Sequence, residues 1–229
     1  MKAMTWFFLI SSALLADQGV PTSSDVADAA ERITGKRAHM SGDIRLVAGQ
    51  RLVGPAVTMR AVRDETASSI GEGLKAIRVL EDAPPGSVIV LLLDGEKDFA
   101  VFGATFATLA KSRNLAGFVI DGAMRGVRDF RRLDVPLFAR ATVAGSAGGH
   151  YRLETVHEPI QCGGIQVVEG DVIVGDEDGI AVAVKTHKEE IFAHAVRLRR
   201  EKEQMLPLIR RFKSYTKAAE ALAKKKGGM

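Results

Sequence analysis

Two kinds of apolar pattern alternate along the middle of the chain. Residues 87–93 and 116–120 are unbroken apolar runs, the pattern of strands buried on both faces. Segments with helical spacing, residues 69–80 and 102–113, precede them, and residues 127–133 predict a further short amphipathic helix. Strands alternating with helices in this way predict a parallel sheet in an α/β chain. Upstream, Thr22 or Ser23 caps a helix running past Asp28 and Ala30, because a hydroxyl there accepts an orphan N–H and Asp25 complements the positive helix end. A short strand at 51–53 stops at Gly54-Pro55, and the period of two over 56–62 predicts a half-buried strand. The turn Ala83-Pro84-Pro85-Gly86 ends the 69–80 helix. The second half is β-rich, with short strands expected at 137–141, 165–168, 172–174 and 180–184 between Gly/Asp turns. Residues 191–229 read as helix interrupted at Pro207, with disorder expected from 224 onward.

Composition narrows the class. With 229 residues the chain suits one sizeable domain, and 46% apolar with 26% charged residues excludes both a disordered chain and a polytopic membrane protein. Cys162 is the single cysteine, so no intrachain disulfide and no thiolate metal cluster can form; any metal must sit on oxygen or imidazole. The net charge of +4 is uneven: residues 197–226 carry eleven Lys/Arg against three Glu, a net +8, which leaves the remainder at −4. An acidic body argues against a DNA partner. It leaves a basic appendage suited to RNA, an RNA-processing partner or another acidic surface, with plain solvated charge as the default. Residues 4–16 are uncharged and resemble a short signal-peptide core, too short to span a bilayer, but Leu14 stands where cleavage wants a small residue. The expectation is therefore an apolar N-terminal helix over 1–19, a core domain over 20–190 and a basic helical tail over 191–229. A cytoplasmic location follows, or export if 1–16 is cleaved.

Chemistry concentrates where the two buried strands end, at Leu93-Asp94-Gly95 and Ile120-Asp121-Gly122. The carboxyl ends of parallel strands gather ligands, because loops there present side chains and the following helices present N–H groups. Each aspartate could equally cap a turn. Arg125 lies four residues beyond Asp121, where its guanidinium would bind a carboxylate or polarise a carbonyl, or simply pair with Asp121 at the surface. Gly103 opens a helix and would let a small anion reach the N–H groups of Ala104, Thr105 and Phe106. Asp176, Glu177 and Asp178 crowd one loop, which suits a divalent cation, a proton relay or two solvated turns. The five histidines show no two-histidine helix motif. Gly145-Ser146-Ala147-Gly148-Gly149 lacks a nucleophile-elbow or phosphate-loop pattern and reads as a flexible loop at a pocket or subunit edge.

Several of these segments, in this order, resemble the RraA-like family: Gly54-Pro55-Ala56-Val57-Thr58, Gly117-Phe118-Val119-Ile120-Asp121-Gly122-Ala123-Met124-Arg125, Val135-Pro136-Leu137-Phe138-Ala139-Arg140, and Cys162-Gly163-Gly164 followed by Gly170-Asp171 and Asp176-Glu177-Asp178-Gly179. The resemblance covers about residues 20–190 and implies an α/β fold, a β/β/α swivelling-type domain, here with a C-terminal helical extension. It implies a homotrimer or hexamer with active sites between subunits. The implied activity is that of a divalent-metal-dependent lyase on a small 2-oxo acid, by retro-aldol cleavage or oxaloacetate decarboxylation releasing pyruvate, with Mg²⁺ or Mn²⁺ as cofactor. Arg125 would bind the 2-oxo acid and stabilise the enolate, Asp121 would hold the guanidinium, and the helix start at Gly103 to Phe106 would accept the carboxylate. The family's two metal-associated acids are replaced by Ala104 and Gly126. Asp129, one helical turn on, or Asp94, Glu96, Asp98, or Asp176 and Asp178 of a neighbouring subunit would have to compensate. The alternative is a non-catalytic binding or regulatory protein that has lost the metal.

Overall fold

The computed structural model describes residues 21–227; the expected helix at 1–19 lies outside them. Helix α1 (Ser23–Thr34) is followed by β1 (Arg45–Ala48), β2 (Leu52–Arg63), α2 (Ser69–Asp82), β3 (Val88–Leu92), β4 (Ala100–Val101), α3 (Ala104–Ser112), β5 (Gly117–Met124), α4 (Val127–Leu133) and β6 (Leu137–Thr142). Then come β7 (Tyr151–Val156), β8 (Ile160–Cys162), β9 (Ile165–Val167), β10 (Val172–Asp176), β11 (Gly179–Ala183), α5 (Lys188–Phe212) and α6 (Tyr215–Gly227). The main sheet runs β1-β6-β5-β3-β2-β10-β11, with β4 added to β5 and β7 to β2; β8 and β9 form a separate hairpin. Its centre, β2-β3-β5-β6, is parallel, and its flanks are antiparallel. Among the described residues no helix is long and apolar enough to cross a membrane.

The unbroken apolar runs serve two cores. On β3, Ile89 and Leu91 pack with Phe118, Ile120, Phe130 and Leu80 on the helix-covered face, while Val88, Val90 and Leu92 pack with Val119, Phe138, Cys162 and Val167 on the face covered by β8–β9. A third cluster, with Val26, Ala29, Ala181, Ile191 and Ala195, joins α1 and α5 to β10–β11.

The expected helices at 69–80, 102–113 and 127–133 form as α2, α3 and α4. Four expectations need correction. Gly54-Pro55 does not end a strand: β2 runs through it, because Pro55 faces β10 on one side and pairing with β3 starts only at Ala56↔Val88. Gly54 is required there, since a Cβ would meet the Gly86 carbonyl oxygen at 2.0 Å. The strand predicted at 116–120 continues as β5 to Met124, carrying Asp121-Gly122 inside the sheet. Pro207 does not interrupt the last helix; α5 runs past it and ends at Lys213, whose φ of 50° breaks the helix. Finally, α6 continues to Gly227, past the expected onset of disorder at 224. Strands β1, β7 and β8 carry no clear alternation in the sequence and form because the sheet and the β8–β9 hairpin supply their partners.

Candidate functional site

A cavity of about 420 Å³ opens at the carboxyl ends of β4 and β5, between α2, the start of α3, β7 and the loop that follows β6. Its floor is apolar, with Met59, Leu91, Ala100 and Leu153; its polar wall comprises Ser69, Glu72, Gly103 to Phe106, Arg125, Ser146, Tyr151 and Arg152.

Helix α3 enters this cavity with its first N–H groups free of side-chain caps. Gly103 is the N-cap and makes no side-chain hydrogen bond, and the first turn holds no acid. The Gly103 carbonyl accepts from Ala107 N at 3.1 Å, which starts the helical ladder and leaves the N–H groups of Ala104, Thr105 and Phe106 as the orphans of the first turn. Phe102 and Phe106 stack at 4.4 Å between centroids, and Phe102 meets Phe118 edge-on at 5.4 Å, which anchors this turn to the core.

Arg125 leaves the end of β5 opposite that helix. Its Nη1 donates to the Ala144 carbonyl at 3.3 Å and its Nη2 to Ser146 Oγ at 3.2 Å. The Ser146 loop is itself tied to β4, since Ala100 N donates to the Gly145 carbonyl and Ala147 N to the Ala100 carbonyl. Gly126 follows at φ 75°, so close to α3 that a Cβ would lie 3.0 Å from Ala104 N and 3.1 Å from Gly103 Cα. Both substituted positions, 104 and 126, therefore lie side by side at the cavity rim.

The remaining charges of the wall are spent locally. Glu72 accepts from Lys75 Nζ at 2.6 Å and from Leu153 N at 2.7 Å; the bond from Lys75, opposed by partial burial, holds its carboxyl below the ordinary range. Arg152 lies 3.4 Å from Asp64 and 3.3 Å from Glu154. The Tyr151 hydroxyl donates to Glu96, and burial together with that carboxylate pushes its pKa up to about 12.

Several expected site residues stand elsewhere. Asp121 does not hold Arg125: it lies on the opposite face of the sheet, accepting from Arg140 Nε and from Gly163 N at 2.6 Å, while Arg140 also binds Asp43. Asp129 pairs with Arg132 at 3.3 Å on α4 and does not line the cavity. The role expected of Asp176 and Asp178 concerns a neighbouring subunit; within its own chain Asp176 accepts from Ser23 N at 2.7 Å and from Ser23 Oγ, which fastens the start of α1, and Asp178 is exposed and lines a second cavity of about 430 Å³ with Gly42 and Arg45. Cys162 is buried, and burial pushes its thiol pKa well up, so it is inert. Ser146, Glu72, Tyr151 and Arg152 escaped the sequence reading; of these only Ser146 carried a signal, in its glycine-rich loop at the pocket edge.

Within one subunit, the donor set of the described residues does not fit a divalent cation. Among the described residues Glu72 is the one carboxylate in the cavity wall, and no three His, Cys, Asp or Glu side chains cluster as metal ligands. Mg²⁺ and Mn²⁺ favour carboxylate and water oxygens, which positions 104 and 126 cannot supply.

Fold and site together define a mixed α/β protein with a small anion-friendly cavity at strand carboxyl ends. A family model described as RraA-like (Aldolase/RraA) matches residues 23–182, and the chain belongs to the RraA-like family. A protein of Halalkalibacterium halodurans, provisionally named 4-hydroxy-4-methyl-2-oxoglutarate aldolase, is 32% identical over 177 residues, 77% of this chain and 78% of its own length. A Thermus thermophilus protein named 4-hydroxy-4-methyl-2-oxoglutarate aldolase is 30% identical over 103 residues, 45% of this chain and 62% of its own. Two solved structures share the fold. One is an uncharacterized protein from Pseudomonas syringae pv. tomato, with a TM-score of 0.77 and 24% identity over 87% of this chain and 92% of that one. The other is Streptomyces coelicolor RraAS2, described as an unusual member of the RNase ES inhibitor RraA protein family, with a TM-score of 0.69 and 24% identity over 80% and 89%.

Proposed function

We propose that the cavity binds a small 2-oxo acid and that the chain acts on it as a carbon–carbon lyase, releasing pyruvate. The observation that carries this reading is the convergence of Arg125 and the uncapped start of α3 on one 420 Å³ cavity. The ligand carboxylate accepts from the N–H groups of Ala104, Thr105 and Phe106, where the helix dipole favours negative charge. Its 2-oxo oxygen meets the Arg125 guanidinium, which Ala144 and Ser146 hold in place. When the carbon–carbon bond breaks, the electron pair moves onto that oxygen, and Arg125 stabilises the enolate, a role in which such donors are worth about a hundredfold or more in rate.

Of the two reactions the family resemblance implies, decarboxylation of oxaloacetate suits this wall better. Retro-aldol cleavage also needs a base for the hydroxyl proton, and the one carboxylate in the wall, Glu72, is bound to Lys75 and Leu153. The alternative, a binding or regulatory protein without turnover, is favoured by the absence of acids at 104 and 126. For an RNA-processing partner, the exposed cations of α5 and α6 are the surface that would meet it. Following pyruvate release from oxaloacetate and from 4-hydroxy-4-methyl-2-oxoglutarate, with Mg²⁺, with Mn²⁺ and with EDTA, tests the reading. Release that Arg125→Ala abolishes supports the lyase; none under any condition, from protein that binds pyruvate, leaves the binding protein.

A further inference from the structure

We infer that this chain takes its 2-oxo carboxylate directly on protein N–H groups and Arg125, with no divalent cation between ligand and protein. The inference rests on the cavity being the 2-oxo-acid site proposed above, and it deepens that reading by specifying how the ligand is held.

Both charge and room oppose a cation in this cavity. A hard divalent cation is bound through carboxylates, and among the described residues of one subunit it would find a single one in the cavity wall, Glu72, already accepting from an ammonium and a backbone N–H. It would also sit against two positive features. The start of α3 has no acid in its first turn to offset the helix dipole. Arg125 makes its hydrogen bonds to a carbonyl and a hydroxyl, and among the described residues it enters no ion pair, so its charge is uncompensated. Arg152, the other cation of the wall, is offset by Asp64 and Glu154. The cavity is therefore poised for an anion without a cation being added.

Gly126 fixes this state sterically. At φ 75°, with Ala104 N 3.0 Å and Gly103 Cα 3.1 Å from where a Cβ would be, any side chain at 126 would be strained and would press on the start of α3. Ala104, exposed at the first position of α3, presents a methyl group at the other. What remains at the rim is backbone N–H, and bonds from N–H to a carboxylate are charge-assisted and roughly twice as strong as neutral ones.

Calorimetric titration of the full chain with sodium pyruvate, in EDTA and separately in MgCl₂ and MnCl₂, tests the inference. The expected result is dissociation constants within about twofold of one another in the three buffers. Ala104→Asp, which suits a helix start and should leave thermal stability unharmed, is expected to weaken pyruvate in EDTA about tenfold by placing a like charge on the N–H groups. Binding that appears only with Mg²⁺ or Mn²⁺ would overturn the inference while leaving the site standing, as would an Ala104→Asp protein that binds as tightly as the original in EDTA. Binding in none of the buffers would overturn the 2-oxo-acid site itself.

Discussion

Arg125 and Asp121, four positions apart, invite pairing if the chain between them turns, but β5 stays extended to Met124, so a rise of about 3.3 Å per residue carries the two side chains apart and Arg125 leaves from beyond the strand's end. Ile120 and Met124 face the helices, whereas Asp121 joins Val119 on the face covered by β8–β9. The position of Arg125 at the cavity was legible from its place after a buried strand; its partners, Ala144 and Ser146, come from a loop some twenty residues on that no local pattern connects to it. Asp121 is accordingly a structural residue. Asp121→Ala strands Arg140 with only Asp43 and leaves the Gly163 N–H without its acceptor, and a loss of about 3 kcal/mol is expected in urea unfolding, with pyruvate affinity at the cavity unchanged in the folded fraction. The neighbouring rim positions should differ from each other. Gly126→Asp forces a side chain into left-handed backbone and against Ala104 N, costing about 1–2 kcal/mol in thermal denaturation, whereas Ala104→Asp should cost nothing. A double substitution meant to rebuild a metal site would thus be limited by position 126.

Helices α2, α3 and α4 were readable as elements because their spacing and turn signals are local. Proline misled in both places where tertiary context supplied an answer. Pro55 sits where β2 has not yet begun to pair with β3, and Pro207 sits on the exposed side of α5, in a helix already held by its packing on α1 and α6. Because Pro207 still removes a helical hydrogen bond, Pro207→Ala should raise stability, by on the order of 1–3 kcal/mol in urea unfolding. The docking of α5 on α1 also carries a pH signature. Burial pushes the Asp25 carboxyl up, but the Lys202 ammonium at 2.6 Å and the Thr22 hydroxyl and N–H outweigh it and hold the pKa below 3.8. A carboxyl lowered in the folded state contributes stability above its unfolded pKa, and that contribution is lost as pH falls through the folded value. The gap in urea midpoint between the native chain and Lys202→Met should therefore be full at neutral pH and narrow as the pH drops below 3.8.

At the scale of the whole molecule, the alternation of strands and helices announced a parallel α/β core, and the order of the motifs announced the family. The antiparallel flanks and the cavity were less legible, since they arise from pairings between segments distant in sequence, such as β2 with β7 and with β10. On α2, beside the cavity, Ile70 and Leu74 are exposed one helical turn apart, an apolar surface that a subunit contact would cover. We expect a trimer or hexamer by light scattering at micromolar concentration, and a monomer there would contradict the assembly the family resemblance implies. The central claim is narrower, namely that Arg125 and the start of α3 form a 2-oxo-acid site. A crystal structure of the chain with pyruvate tests it most directly. The account predicts pyruvate in the 420 Å³ cavity, its carboxylate within hydrogen-bond distance of the N–H groups of Ala104, Thr105 and Phe106 and its oxo oxygen at Arg125. Pyruvate bound elsewhere, or in the cavity without touching either feature, would contradict it.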